Sequence, residues 1–311
     1  LVFAAWLGNA IYAFGELGGA IKFWSPALVA SAMIAFVIIH GRRREGKRAL
    51  FHFAIFIFLV GWLAETISVF TGMPFGTYHY TDAMWPFIGV VPVFVLPAYC
   101  VMGYVSWAMA RLVFGAQGSQ RHPSVRFAVP VVAALLMVIW DISMDPLRAT
   151  IEGRWIWLES GPYFGIPMNN FVGWFLVTWV MFQFYSLYLF HNSDQGIMNS
   201  PAQSRLFDLS VPLMYLAFPV EYVLNPFMAT SMRETVFING EAVSIASIYD
   251  SVGIVSALTM LPIGILVSFH ILCGLVLLPR RIGQQTPFDH EPLLLDEFIR
   301  WLLRTIKTTQ T

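Results

Sequence analysis

Asp141 and Asp145 stand four residues apart in WDISMDP, at the end of the apolar stretch AVPVVAALLMVIW. On a helix that spacing puts both carboxyls on one face, a single turn apart. Ionisable groups inside a bilayer are costly and mark function by default. Three chemistries suit such a pair. The carboxylates can hold Mg²⁺ for a diphosphate, as in the intramembrane prenyltransferases. They can relay protons or ions across a membrane. Or one of them, buried, can protonate an alkene. A carboxyl removed from water keeps its proton to higher pH, more so beside a second carboxyl. The bland alternative is structural, with the acids paired to Arg148, Arg154 or backbone amides.

The rest of the chain weighs these readings. A diphosphate site needs a second aspartate-rich motif and cations nearby, and the acid-rich half offers neither. Transport needs a substrate path, and the aromatic-rich loops add nothing to it. Acid catalysis on an apolar alkene needs no metal, nucleotide or other cofactor, and no Gly-rich phosphate loop appears. Two more acids, Glu65 and Glu221, also lie within apolar helices, and with Asp141 and Asp145 they form the candidate catalytic set.

The elements that must position these acids are apolar helices. The chain has 311 residues, 58% of them hydrophobic and only 12% charged, with a mean hydropathy of +0.68. Repeated apolar runs near the length of a bilayer core predict an all-α, polytopic helical membrane protein. Eight spans are predicted, at roughly 2–20, 23–40, 50–71, 87–112, 126–144, 167–190, 206–228 and 251–278, or seven if the weak first is lost. Residues 1–278 form one integral membrane domain, and 279–311 a tail. In that tail Leu294, Leu295, Phe298, Trp301, Leu302 and Ile306 recur at helical spacing, predicting an amphipathic helix on the membrane face. Pro212, Pro219 and Pro226 predict a bent seventh span, with Glu221 beside the bend. Cys100 and Cys273 lie in apolar runs and read as small packing residues.

Charge sets the orientation. Arg42, Arg43, Arg44, Lys47, Arg48, Arg111, Arg121, Arg126, Arg205, Arg280, Arg281, Arg300, Arg304 and Lys307 fall on the side of both termini. Only Lys22, Arg148, Arg154 and Arg233 remain for the other side. The positive-inside rule therefore expects the C-terminus in the cytoplasm and the chain in the cytoplasmic membrane. Net charge is zero, so nothing points to nucleic acid.

Two outer connections look related. WLAETISVFTGMPFGTYHY (62–80) and WDISMDPLRATIEGRWIW (140–157) each place a buried acid 11 or 12 residues before a glycine. Two aromatics follow in each: Tyr78 and Tyr80, then Trp155 and Trp157. This reads as a diverged helix–loop–helix repeat whose halves face one another over a single cavity. These four aromatics, with Trp85 and Tyr163, also sit where interfacial belts are normal. Their faces can stabilise a carbocation as well. Asn169 and Asn170, after FGIP, either orient a water or cap the sixth helix.

The run ETISVFTGMPFGTYHY, with DISMDP, GRWIW and YFGIPMNNFVGW, resembles the membrane-embedded carotenoid biosynthesis family over roughly residues 60–230. Its members include the CruF-type carotenoid 1,2-hydratases such as bisanhydrobacterioruberin hydratase. The resemblance implies water addition across the terminal double bond of an acyclic ψ-end carotenoid, giving a tertiary alcohol. It implies a carotenoid or other long isoprenoid as substrate, membrane lipid as surroundings, and complexes with other carotenoid enzymes. The family is also similar to small membrane lycopene β-cyclases. Their paired-acid motif is only partly echoed by Pro219-Val220-Glu221-Tyr222, which leaves cyclisation as the alternative reaction.

Overall fold

The computed structural model describes residues 1–14, 19–114, 125–192, 205–229 and 234–277. The chain divides into two compact units, Leu1–Leu272 and Cys273–Thr311, and the acids all lie in the first. The amphipathic helix expected in the tail falls outside the described residues.

Among the described residues ten α-helices follow in order: α1 (Val2–Ala13), α2 (Gly19–Arg44), α3 (Lys47–Thr71), α4 (Val95–Val113), α5 (Val125–Asp145), α6 (Met168–His191), α7 (Arg205–Tyr215), α8 (Phe218–Ala229), α9 (Ile245–Leu258) and α10 (Met260–Leu277). The polytopic helical membrane architecture is therefore present, with five or six of the expected seven or eight spans found among the described residues. Among the described residues, five helices are long and apolar enough to cross a bilayer, or six if α7 and α8, bent by 41°, count as one broken span. The differences have physical reasons. With 12 residues, α1 reaches about 18 Å, short of a hydrocarbon core of about 30 Å. Helix α4 buries every residue from Val101 to Arg111, so protein surrounds that stretch, whose tyrosine, serine and arginine leave the helix less apolar than the spans. The spanning helices instead turn Ile38, Leu63, Phe70, Leu176 and Leu266 outward, as a lipid solvent requires.

Helix ends and breaks are held by named groups. Gly72 closes α3 in the left-handed region at φ 76°, with its N–H on the Ser68 carbonyl, a common helix stop. The Ser68 hydroxyl then accepts from the Phe75 N–H at 3.1 Å and donates to the Gly76 carbonyl at 3.2 Å, folding the outer loop back onto its helix. At the α7–α8 break the freed carbonyls are taken by the short first helix. Trp6 Nε1 donates to Leu213 O at 2.8 Å, and Asn9 Nδ2 to Ala217 O at 2.7 Å. Helix α5 runs on through a wide π-helical turn, Pro146–Ile151. Pro146 has no N–H for the Ile142 carbonyl, and the Tyr163 hydroxyl donates to that carbonyl at 3.2 Å instead.

Near the basic turn between α2 and α3, two buried ion pairs, Arg44–Asp208 at 2.8 Å and Arg111–Glu45, fasten α2 and its following turn to α7 and α4. His40 Nδ1 lies 2.6 Å from the Tyr104 hydroxyl in the same region.

Short strands add what helical periodicity did not predict. In the outer loops β1 (Tyr78–Tyr80) pairs antiparallel with β4 (Trp155–Trp157), joining Tyr78 to Trp157, His79 to Ile156 and Tyr80 to Trp155. Between them in sequence, β2 (Phe87–Ile88) pairs with β3 (Val91–Pro92). A hairpin of β5 (Thr235–Ile238) and β6 (Glu241–Ser244) turns at Asn239-Gly240, both at positive φ.

The first outer loop is wedged against α6. A Cβ on Gly173 would stand 2.6 Å from the Pro74 carbonyl oxygen and 2.8 Å from Phe75 Cδ1. Backbone, rather than a flexible side chain, occupies that space. Gly173→Ala should cost about 1–3 kcal/mol by overpacking. The check is thermal denaturation in detergent, and an unchanged midpoint would mean this contact carries no strain.

Candidate functional site

A cavity of about 200 Å³ lies beneath the β1–β4 ribbon. Aromatic rings from five elements wall it: Tyr78 and Tyr80 of β1, Tyr99 of α4, Trp140 of α5, Trp155 and Trp157 of β4, and Trp174 of α6. Three carboxyl groups also line it, Glu65, Asp141 and Asp145, each buried.

Each acid has its own set of donors. Asn170 Nδ2 donates to Asp141 Oδ2 at 2.9 Å and to Asp145 Oδ2 at 2.7 Å, bridging the two aspartates. Trp155 Nε1 donates to Asp145 Oδ1 at 2.9 Å. Both oxygens of Asp145 therefore accept hydrogen bonds, which suits an anion that can only accept. The second oxygen of Asp141 takes no hydrogen bond among the described residues. Glu65 collects three phenols: Tyr78 and Tyr80 (2.8 Å) on one oxygen, and Tyr99 (2.7 Å) on the other. Burial, and next the Glu65 charge, push the Tyr78 and Tyr80 phenols well above their usual range. They stay protonated donors at neutral pH.

The loops deliver these side chains by pairing. Residues i, i+2 of a strand share a face, so β1 turns both tyrosines, and β4 both tryptophans, toward the acids. The antiparallel register sets His79 against Ile156, 77 residues apart, the same separation as Gly76 and Gly153 at the equivalent point of each loop. Each loop thus meets its counterpart across a local two-fold arrangement, in keeping with a duplicated helix–loop–helix unit. Tyr99 and Trp174 fit that relation, each seven residues beyond the last proline of its loop. Their rings stack face to face, 4.6 Å between centroids and 6° from parallel. Gly76 seals the junction at φ 114°, where a Cβ would meet Pro167 Cγ at 3.0 Å.

Of the residues singled out from sequence, Glu65, Asp141, Asp145, Tyr78, Tyr80, Trp155, Trp157 and Asn170 converge on this cavity. Asn169 does not line it and is exposed. Neither asparagine side chain caps α6, whose start carries no side-chain cap. Glu221 also stays outside the lining. It holds Arg148 through two bonds, at 2.7 and 2.6 Å to Arg148 Nη2. Arg148, which does line the cavity, also pairs with Glu152. Arg154 Nε donates to Glu152 at 2.5 Å. Burial pushes the Glu152 carboxyl up, but Arg148 and Arg154 outweigh it and hold it below its ordinary value. The salt-bridge reading therefore describes Glu221 and Glu152, and not the aspartates. Sequence reasoning passed over Tyr99, Trp140 and Trp174. The proline-to-aromatic spacing shared by the two loops was the signal for Tyr99 and Trp174.

The model of a family described as carotenoid biosynthesis protein matches residues 23–237. The chain belongs to that family. The match runs from α2 to β5 and includes every residue lining the cavity. No curated protein and no solved structure matches the chain. Membership in the carotenoid biosynthesis family accords with a cavity whose walls are largely aromatic.

Removing one partner of a buried ion pair leaves the other charge uncompensated, typically at about 3–5 kcal/mol. Glu221→Gln should therefore lower accumulation and thermal stability, and adding Arg148→Met should restore much of the loss. Denaturation midpoints of the single and double variants check this. Equal midpoints for wild type and Glu221→Gln would remove the structural role from Glu221.

Proposed function

We propose that this member of the carotenoid biosynthesis family is a cofactor-independent 1,2-hydratase. It adds water across the terminal double bond of an acyclic ψ-end carotenoid. The observation that carries this reading is the difference between the two bridged aspartates. Asp145 has both oxygens occupied as acceptors, whereas Asp141 has one oxygen unbonded at the cavity. Asp141 is then the proton donor and Asp145 the fixed anion beside it.

The substrate's end enters the cavity with its alkene against Asp141. The Asp141 proton passes to the less substituted alkene carbon, and the tertiary neighbour becomes a cation. The Asp145 charge and the faces of the tyrosines and tryptophans stabilise that cation electrostatically. Water adds its oxygen to the cationic carbon. Trp157 Nε1, buried and without a partner among the described residues, is a donor in the cavity wall able to orient that water. Glu65, with its phenol partners, takes the proton that the bound water releases, and return of a proton to Asp141 closes the cycle. One water is consumed, no electrons are transferred, and the product is a tertiary alcohol.

The cyclase alternative shares the first step and differs in what captures the cation, an internal double bond in place of water. The polar carboxyl and indole groups around the cavity favour water. Arg148 and Arg154 both line the cavity, but each is bonded to Glu152 or Glu221, so they do not form the free cation cluster that a diphosphate needs. The basic connections, GRRREGKR above all, support an orientation with the cytoplasm on their side and the cavity toward the opposite face.

Expression in cells that make lycopene tests this reading. A pigment heavier by the mass of one water is expected, whereas an isomer of unchanged mass would mean cyclisation. Asp141→Asn is nearly isosteric and should lose product by at least about 10²-fold, the scale of general acid assistance, while accumulating normally. Normal accumulation with an unchanged rate would pass the donor role to another acid.

A further inference from the structure

A second and larger hollow, about 670 Å³, lies between α2, α3 and α4. Its wall is almost wholly apolar, with Ile38, Leu50, Ala54 and Val101 among the lining residues. The exceptions are Arg42, in the last turn of α2, and Lys47, the first residue of α3. Both are exposed, and neither makes an ion pair or hydrogen bond among the described residues. The contrast with their neighbours is informative. Arg44, two residues on, is buried against Asp208, and Arg111 is buried against Glu45. Those cations serve the fold, whereas Arg42 and Lys47 stand at one end of an open apolar trough.

We propose that this trough binds one anionic membrane phospholipid, with an acyl chain along the groove and the phosphate at Arg42 and Lys47. Length and charge both favour that occupant. Lys47 to Ala54 and Ile34 to Arg42 each span about 10–12 Å of helix, within the half-thickness of a core about 30 Å across. The groove therefore takes a chain from the leaflet at the basic end. Arginine and lysine suit a phosphate, one as a planar fork and the other as a point charge. A neutral isoprenoid would fill the apolar part but leave both cations unused. The site is separate from the carboxyl cavity, whose lining shares no residue with it.

The test uses the full chain purified in detergent. It compares retention of added phosphatidylglycerol and phosphatidylcholine by native mass spectrometry. Wild type should retain phosphatidylglycerol in preference. Arg42→Gln with Lys47→Gln, at exposed positions that leave folding intact, should reduce that retention roughly 30-fold, from about fivefold for each cation at a lipid surface. Ala54→Trp should fill the groove and remove the bound lipid while both cations remain. Equal retention of the two lipids by wild type would overturn the site and leave only annular lipid. So would phosphatidylglycerol retention unchanged by the double glutamine variant. Loss of carotenoid product in Ala54→Trp without any change in lipid retention would also overturn it, assigning the groove to the substrate's tail.

Discussion

Carboxyl groups that leave water must find hydrogen-bond donors in the protein, because an unsatisfied buried polar group costs more than most single contacts return. In this chain three such carboxyls meet at one cavity, and most of the local structure exists to supply their donors. Asn170 is set at the start of α6 where its amide reaches two aspartates on α5 at once. The β1–β4 ribbon brings Tyr78, Tyr80 and Trp155 into range. Tyr99 comes from α4 and Asn170 from α6, so four separate elements must be in register before the acids are satisfied. This explains the tight glycine contacts beneath the loops, where Gly173 and Gly76 admit no side chain.

In the proposed reaction, partial satisfaction is where chemistry enters. Asp145 and Glu65 have donors on both carboxyl oxygens, and Asp141 on only one. The same cavity presents π faces and, among the described residues, no unpaired arginine, which suits the transient cation of the proposed reaction. The outer cluster of Tyr12, Arg148, Glu152, Arg154 and Glu221 balances its own charges. It closes one side of the cavity without adding net positive charge to it.

Much of this was legible in the residues, for identifiable reasons. Apolar runs the length of a bilayer identify the helical membrane architecture, and spacing by four puts Asp141 and Asp145 on one face whatever the tertiary structure. The glycine–aromatic echo of GTYHY and GRWIW pointed to facing loops, and the two segments hydrogen-bond directly. Span number was harder. The apolar run around α4 reads as a span in sequence, although its tyrosine, serine and arginine keep it out of the helices apolar enough to cross a bilayer, and hydropathy does not measure how short α1 is. Glu221 has the same apolar surroundings in sequence as Glu65, but Arg148 lies 73 residues from it, a pairing that no local pattern announces. Tyr99 was hidden for a similar reason, since its partner Glu65 is 34 residues away on another helix. The Asn239-Gly240 turn was readable as a hairpin signal but was passed over, in the connection between the seventh and eighth expected spans.

The central claim is that a carboxyl at the Asp141–Asn170–Asp145 bridge delivers its proton to a substrate carbon. Turnover of an acyclic carotenoid by the purified chain in D₂O measures that transfer directly, because a proton placed on carbon does not wash out during extraction. Mass analysis should find one carbon-bound deuterium per reacted end together with a new hydroxyl group, and Asp141→Asn should show neither. A hydroxylated product with no carbon-bound deuterium, or full deuterium incorporation by Asp141→Asn, would contradict it.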